Sequence, residues 1–160
     1  MEQVKLIKPF LTFDSLEERR RTDFIVVHHT AIAADSSAKD IHQIHLNQGY
    51  SGIGYHFLIR KNGAIEKGRP VWAVGAHAYG YNAQSIGVCL SGNFEVEKPT
   101  DFQIESAALL IANLCYDFNL PISRRFILGH RELNATACPG DKLFFYLDTV
   151  VGKANWYFSH

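Results

Sequence analysis

Apolar and polar positions alternate between two periods along this 160-residue chain. Short runs that are apolar throughout and rich in β-branched residues predict buried strands: FIVVHH (Phe24 to His29), SIGVCL (Ser85 to Leu90) and RFILGH (Arg125 to His130). YHFLIR (Tyr55 to Arg60) and AIEKGR (Ala64 to Arg69) flank Lys61-Asn62-Gly63, and an Asn-Gly pair between two such runs predicts a hairpin. A helical period takes over from Thr100 to Phe118. There Ile104, Ala107, Ala108, Ile111, Leu114, Cys115 and Phe118 form one stripe, Thr100 and Gln103 a capping box, and Asn119-Leu120-Pro121 a stop. Ser36 and Ser37 are placed to cap a helix over Ala38 to Gln48, with Ile41, Ile44 and His45 on its buried face. Asp141 is placed to cap a last helix from about Lys142 to Val151. Strands and helices mixed in this order, with one hairpin, predict a single α/β domain: a mixed central β-sheet flanked by helices. The expected division is an N-terminal segment (1–23), a body (24–151) and a tail (152–160) bearing three consecutive aromatics, Trp156, Tyr157 and Phe158.

Hydrophobic residues make up 47% and charged residues 20%, the balance of an ordinary globular domain. Sixteen basic residues offset sixteen acidic ones. No net field therefore pulls the chain toward nucleic acid or an anionic membrane surface, and neither is expected as a partner. Lysines interrupt each apolar stretch of MEQVKLIKPFLTF, so the start lacks a signal-peptide core, and no apolar run reaches membrane-spanning length. Synthesis in the cytoplasm with reduced thiols is the expectation. The three cysteines form no disulfide framework. Cys89 and Cys115 sit in apolar patterns and read as small buried hydrophobes. Cys138 differs, because GHRELNATACPG (Gly129 to Gly140) is polar and turn-prone and belongs at the surface.

His28 ends one predicted strand and His130 another. Open α/β sheets gather ligands at the carboxyl ends of their strands, so neighbouring strands would bring the two histidines together. The loop after His130 can return Cys138 to the same point. Two imidazoles and a thiolate are a set that zinc accepts, with a fourth position left for water. Successive strand residues face opposite ways, so only one of His28 and His29 can face the site. On the residues alone, two other readings stand beside this one: strand-end histidines that merely pack, and Cys138 as the nucleophile of a Cys–His hydrolase.

VVHHTA, GYHFLIRKNGAIEKGR, VGAHAYGYNAQSIGVCLSGNFE and LGHRELNATACPG, in this order, resemble the type 2 N-acetylmuramoyl-L-alanine amidases. That family includes small phage lysozyme-type amidases and animal peptidoglycan recognition proteins. The resemblance spans about Phe24 to about Leu147. It implies one zinc per chain in a surface cleft, held by His28, His130 and Cys138, and hydrolysis of the amide between the muramic acid lactyl group and L-alanine. It implies a catalytic role for Tyr55 and for Thr136, which stands where relatives carry lysine or threonine, and substrate contacts from His77 and Asn82. Glu132 becomes a candidate partner for a ligand histidine, while His42, His45 and His56 are expected to be structural. The complete ligand set favours an enzyme over a non-catalytic peptidoglycan-binding module, the alternative on this scaffold. The expected partner is peptidoglycan or its muropeptides, met by a monomer that reaches the cell wall on lysis. Ile44 and Gly52 replace the tryptophan and aspartate that relatives often carry near the cleft.

Overall fold

A computed structural model describes residues 1–160. Strands β1 (Phe24–His29), β2 (Phe57–Ile59), β3 (Ile65–Lys67), β4 (Ser85–Leu90) and β5 (Ile127–Gly129) form one sheet in the order β3-β2-β4-β1-β5. Only the β2–β3 hairpin is antiparallel. The sheet is therefore mixed, as the pattern predicts. Every residue of β4 is buried, which explains why its sequence is apolar without alternation.

Helices α1 (Ala38–Asn47), α2 (Asp101–Phe118), α3 (Asp141–Phe144) and α4 (Leu147–Ser159) cover the sheet. One face of β1, through Ile25 and Val27, shares a core with α2 and α4: Ile104, Ile111 and Leu114 from the first, Leu147, Val150 and Ala154 from the second. On the other side Ala38 and Ile41 of α1 pack with Ile53 and Leu58. Alternation along β1 thus sends Ile25 and Val27 toward α2 and leaves His28 to the α1 side.

The capping box on α2 is present: Thr100 Oγ1 accepts from Gln103 N at 3.1 Å, and Gln103 Oε1 accepts from Thr100 N at 3.1 Å. Asn119 ends the helix in the left-handed region at φ 54°. Ser37 caps α1, but the buried face of α1 is rotated from the expected one. Ile44 is exposed, and His42 is buried in its stead. Hydrogen bonding permits that exchange: His42 Nδ1 accepts from Ile53 N (2.9 Å) and its Nε2 donates to Thr12 O (3.0 Å).

The C-terminal helix also differs from expectation. Asp141 does not cap it; its carboxylate pairs with Arg131 at 2.7 Å, and Gly140, at φ +87°, precedes the short α3. After a break at Phe145 and Tyr146, α4 runs on to Ser159, well past Val151. Its stripe of Leu147, Val150, Val151 and Ala154 continues into Tyr157, whose hydroxyl donates to Glu105 at 2.6 Å. The N-terminal segment lies along the domain. Ile7 exchanges backbone hydrogen bonds with Ile65 and Lys67, and the buried Arg19 donates to the carbonyls of Val71 and Arg21. No helix is long and apolar enough to cross a membrane.

Candidate metal centre

Parallel pairing of β1 with β5 sets Val27 opposite Gly129. One residue further along each strand, His28 and His130 leave the carboxyl edge side by side, with ring centroids 4.6 Å apart. The chain then turns through His130–Glu132 and comes back, tied by Arg131 N donating to Cys138 O at 2.8 Å. Cys138 Sγ ends 3.6 Å from His28 Nδ1. One ligand atom from each of His28, His130 and Cys138 lies within 4.8 Å of the others. His29, on the opposite face, accepts from Phe94 N at 3.1 Å and stacks on that ring.

The donor set fits a divalent metal. Bonds of about 2.0 Å to nitrogen and about 2.3 Å to sulfur, at a tetrahedral angle, separate the two ligand atoms by roughly 3.5 Å. The His28–Cys138 spacing matches that value. Burial lowers the pKa of both His28 and His130, so both imidazoles are neutral at neutral pH and have a lone pair to give. Burial pushes the Cys138 thiol up to about 12, so it keeps its proton unless a cation displaces it. The same shift removes the thiolate that a Cys–His nucleophile would need.

Each candidate ligand imidazole has an outer hydrogen bond. His130 Nε2 pairs with Asn134 Oδ1 at 2.9 Å, and Asn134 Nδ2 donates to Tyr79 O at 3.0 Å, which fixes which way the amide faces. His28 Nε2 lies 2.8 Å from His77 Nδ1. Glu132 does not partner a ligand histidine. Its carboxylate accepts from Gly129 N at 2.9 Å and pairs with Arg124. Asn134 holds the position the sequence reading gave to Glu132; its signal was a polar side chain one helical turn beyond His130.

An open cleft of about 570 Å³ reaches this group at His130, and Tyr55, His77, Asn82 and Thr136 also line it. Tyr55 stands on its wall with its ring centroid 5.0 Å from that of His28. Desolvation by the surrounding protein, with the Cys89 and Cys138 thiols nearby, raises its pKa well above the ordinary 10. Thr136 is exposed, and its Oγ1 accepts from Cys138 N at 3.2 Å. Asn82 turns its Oδ1 to the backbone N–H groups of His77 and Ala78, at 2.8 and 2.9 Å. His77 is buried, and both ring nitrogens are engaged, the second with Ser85 Oγ at 3.2 Å. That leaves it no free donor for a substrate. His45 shares the cleft wall, accepting from Gly54 N at 2.9 Å, while His56 lies wholly inside.

Fold and site together define a single-domain α/β protein with a cleft beside two histidines and a cysteine that could hold a metal ion. The chain belongs to the N-acetylmuramoyl-L-alanine amidase family, which matches residues 18–141. The endolysin of Escherichia phage T7 is 36% identical over 130 residues, covering 77% of this chain and 83% of that protein. Among solved structures, the N-acetylmuramoyl-L-alanine amidase LysC from Clostridium intestinale URNW superposes with a TM-score of 0.86 at 36% identity, over 94% of this chain and 97% of that one. A mutant of Drosophila PGRP-LB in complex with tracheal cytotoxin superposes with a TM-score of 0.81 at 28% identity, over 90% and 93% of the two chains.

Proposed function

We propose that the chain is a zinc-dependent N-acetylmuramoyl-L-alanine amidase, cleaving the amide between the muramic acid lactyl group and L-alanine in peptidoglycan or its fragments. The observation that carries this reading is the convergence of His28, His130 and Cys138 beside the cleft of a chain from this family. These three would hold the metal. When bound, zinc lowers the pKa of a coordinated water to about 7 and polarises a carbonyl as a Lewis acid.

The rest of the chemistry falls to the chain. Tyr55, its pKa raised, keeps its proton at neutral pH and acts as a hydrogen-bond donor to the oxyanion of the tetrahedral intermediate. Thr136 accepts from the Cys138 N–H, which leaves its own O–H to donate into the cleft, where some relatives carry a lysine. Asn82 spends its carbonyl on the turn and offers its amide N–H groups to the substrate. The similarity to phage endolysins supports a lytic enzyme, made in the cytoplasm and acting on the wall at lysis. The similarity to the recognition protein solved with tracheal cytotoxin supports a muropeptide ligand.

The test is metal analysis of the purified chain, then chelation and zinc add-back during turnover of a defined muropeptide. The expected result is one zinc per chain and release of an L-alanine-terminated peptide that stops with chelator and returns with zinc. Turnover that survives complete chelation would refute the proposal.

A further inference from the structure

Beneath His28 the hydrogen bonds run in one direction only. Nδ1 of His28 is the nitrogen that faces Cys138, at 3.6 Å, so it is the atom available to a metal and must be a lone pair. A neutral imidazole then carries its proton on Nε2. That proton points at His77 Nδ1, 2.8 Å away, which must accept. A doubly protonated His77 would set N–H against N–H, so His77 is neutral with its own proton on Nε2. That N–H meets Ser85 Oγ at 3.2 Å, and the serine O–H is committed onward to the Tyr81 carbonyl at 2.7 Å. Every donor in the series has an acceptor, and each proton position follows from the one before.

We infer that His77 and Ser85 are positioning residues for His28: a relay from His28 Nε2–H to His77 and from His77 Nε2–H to Ser85 keeps Nδ1 of His28 unprotonated and turned toward Cys138. The backbone is shaped for it. Ser85 and Gly87 lie on β4, which pairs along β1, and a Cβ on Gly87 would come 2.7 Å from His77 Cγ and 2.9 Å from its Nδ1. Gly87 has no positive φ, so its requirement is for space alone, and the space is filled by the His77 ring. Gly75 makes the same accommodation from the other side, with a Cβ there falling 2.7 Å from His77 Cδ2. Metal-bound imidazoles are ordinarily oriented by an acceptor on their second nitrogen, and loss of that acceptor weakens binding about 10–100-fold. Here the acceptor is itself a histidine, so its tautomer must be set by a further residue, and Ser85 sets it.

The inference rests on reading His28 as a metal ligand, and its test separates the two. Nitrogen-15 NMR of the metal-free wild-type chain reads the tautomer of His77 directly. The expected spectrum has Nδ1 unprotonated and Nε2 protonated. Zinc affinity is then measured by competition with a chromophoric chelator for wild type, Ser85→Ala and His77→Gln. Ser85→Ala removes one oxygen from a buried site and is expected to mix the His77 tautomers and to weaken zinc about tenfold. His77→Gln, whose amide oxygen can still accept from His28, is expected to recover most of the wild-type affinity. If wild type binds zinc with His77 protonated on Nδ1, or if Ser85→Ala shifts the tautomer without changing zinc affinity, the relay is overturned while the metal reading stands. A wild-type chain that binds no zinc overturns both.

Discussion

Below neutral pH, His56 should be one of the main causes of lost stability. The side chain is 1% exposed and fully hydrogen-bonded: Nδ1 accepts from Gly87 N at 2.9 Å, and Nε2 donates to Ala73 O at 2.8 Å. A proton added at Nδ1 would face the Gly87 N–H in a buried site. Burial accordingly lowers its pKa from 6.5 to about 4. The unfolded chain takes up this proton near pH 6.5 and the folded chain refuses it until about 4, so between those values acid favours unfolding. The contribution is complete above pH 6.5 and is lost as pH falls toward 4. At pH 5 the gap between pH and the unfolded pKa is 1.5 units, which costs about 2 kcal/mol at roughly 1.4 kcal/mol per unit. Urea denaturation at pH 7 and pH 5, with chelator present so that metal release adds nothing, measures the loss. Other buried histidines add to it, so the comparison is with His56→Gln, whose amide can accept from Gly87 and donate to Ala73 but does not titrate. The variant should lose about 2 kcal/mol less than wild type between the two pH values. Equal losses in the two proteins would show that His56 is not held neutral and that the reasoning is wrong.

Two further outcomes follow from the site. Tyr55→Phe should lower kcat on a muropeptide about 10²–10³-fold with zinc content unchanged, because it removes a donor to the oxyanion and no candidate ligand; steady-state kinetics beside metal analysis checks it. Asn134→Ala should weaken zinc about 10–100-fold in a chelator competition, because His130 Nε2 loses its acceptor and the Tyr79 loop its tie, and Asn134→Asp should restore the acceptor.

The three candidate metal ligands that the fold brings together could be read from the sequence because each carries its own local signal. Two histidines end runs so apolar that they must be buried strands, and the cysteine stands where a cysteine has no packing reason to be. Period-two alternation was enough to separate His28 from His29, and the capping box fixed the start of α2. What the sequence concealed were features settled by contact. Ile44 has the better hydrophobic claim to the buried face of α1, yet His42 takes it, because Thr12 and Ile53, distant in sequence, satisfy both of its ring nitrogens. The aromatics at the end of the chain looked like a tail because α4 has no capping residue and follows a break. Their place in the helix comes from α2, through Glu105, which receives both Tyr157 and Lys153. Glu132 was the partner expected for a ligand histidine, but Arg124 and the Gly129 N–H hold its carboxylate instead.

The histidines tie fold and site to one condition. His28, His29, His45, His56, His77 and His130 all have pKa values lowered first by burial, and each has a ring nitrogen in a hydrogen bond. In His29, His45 and His56 a backbone N–H points at the ring, so the imidazole must offer a lone pair to the fold. In His28 and His130 the lone pair is the one the proposed metal would take. Protonation ends both services at once. As pH falls through the lowered pKa of each ring, a proton on any of the first three removes an acceptor from the sheet and its loops, and a proton on either of the last two competes with a metal for the same electrons. Because the two effects draw on the same neutral state, metal affinity and stability should fall together in acid. A chain built this way gains its working pH range from burial, with no added charge: the desolvation that packs these rings into the sheet also keeps two of them deprotonated at neutral pH, as a metal requires.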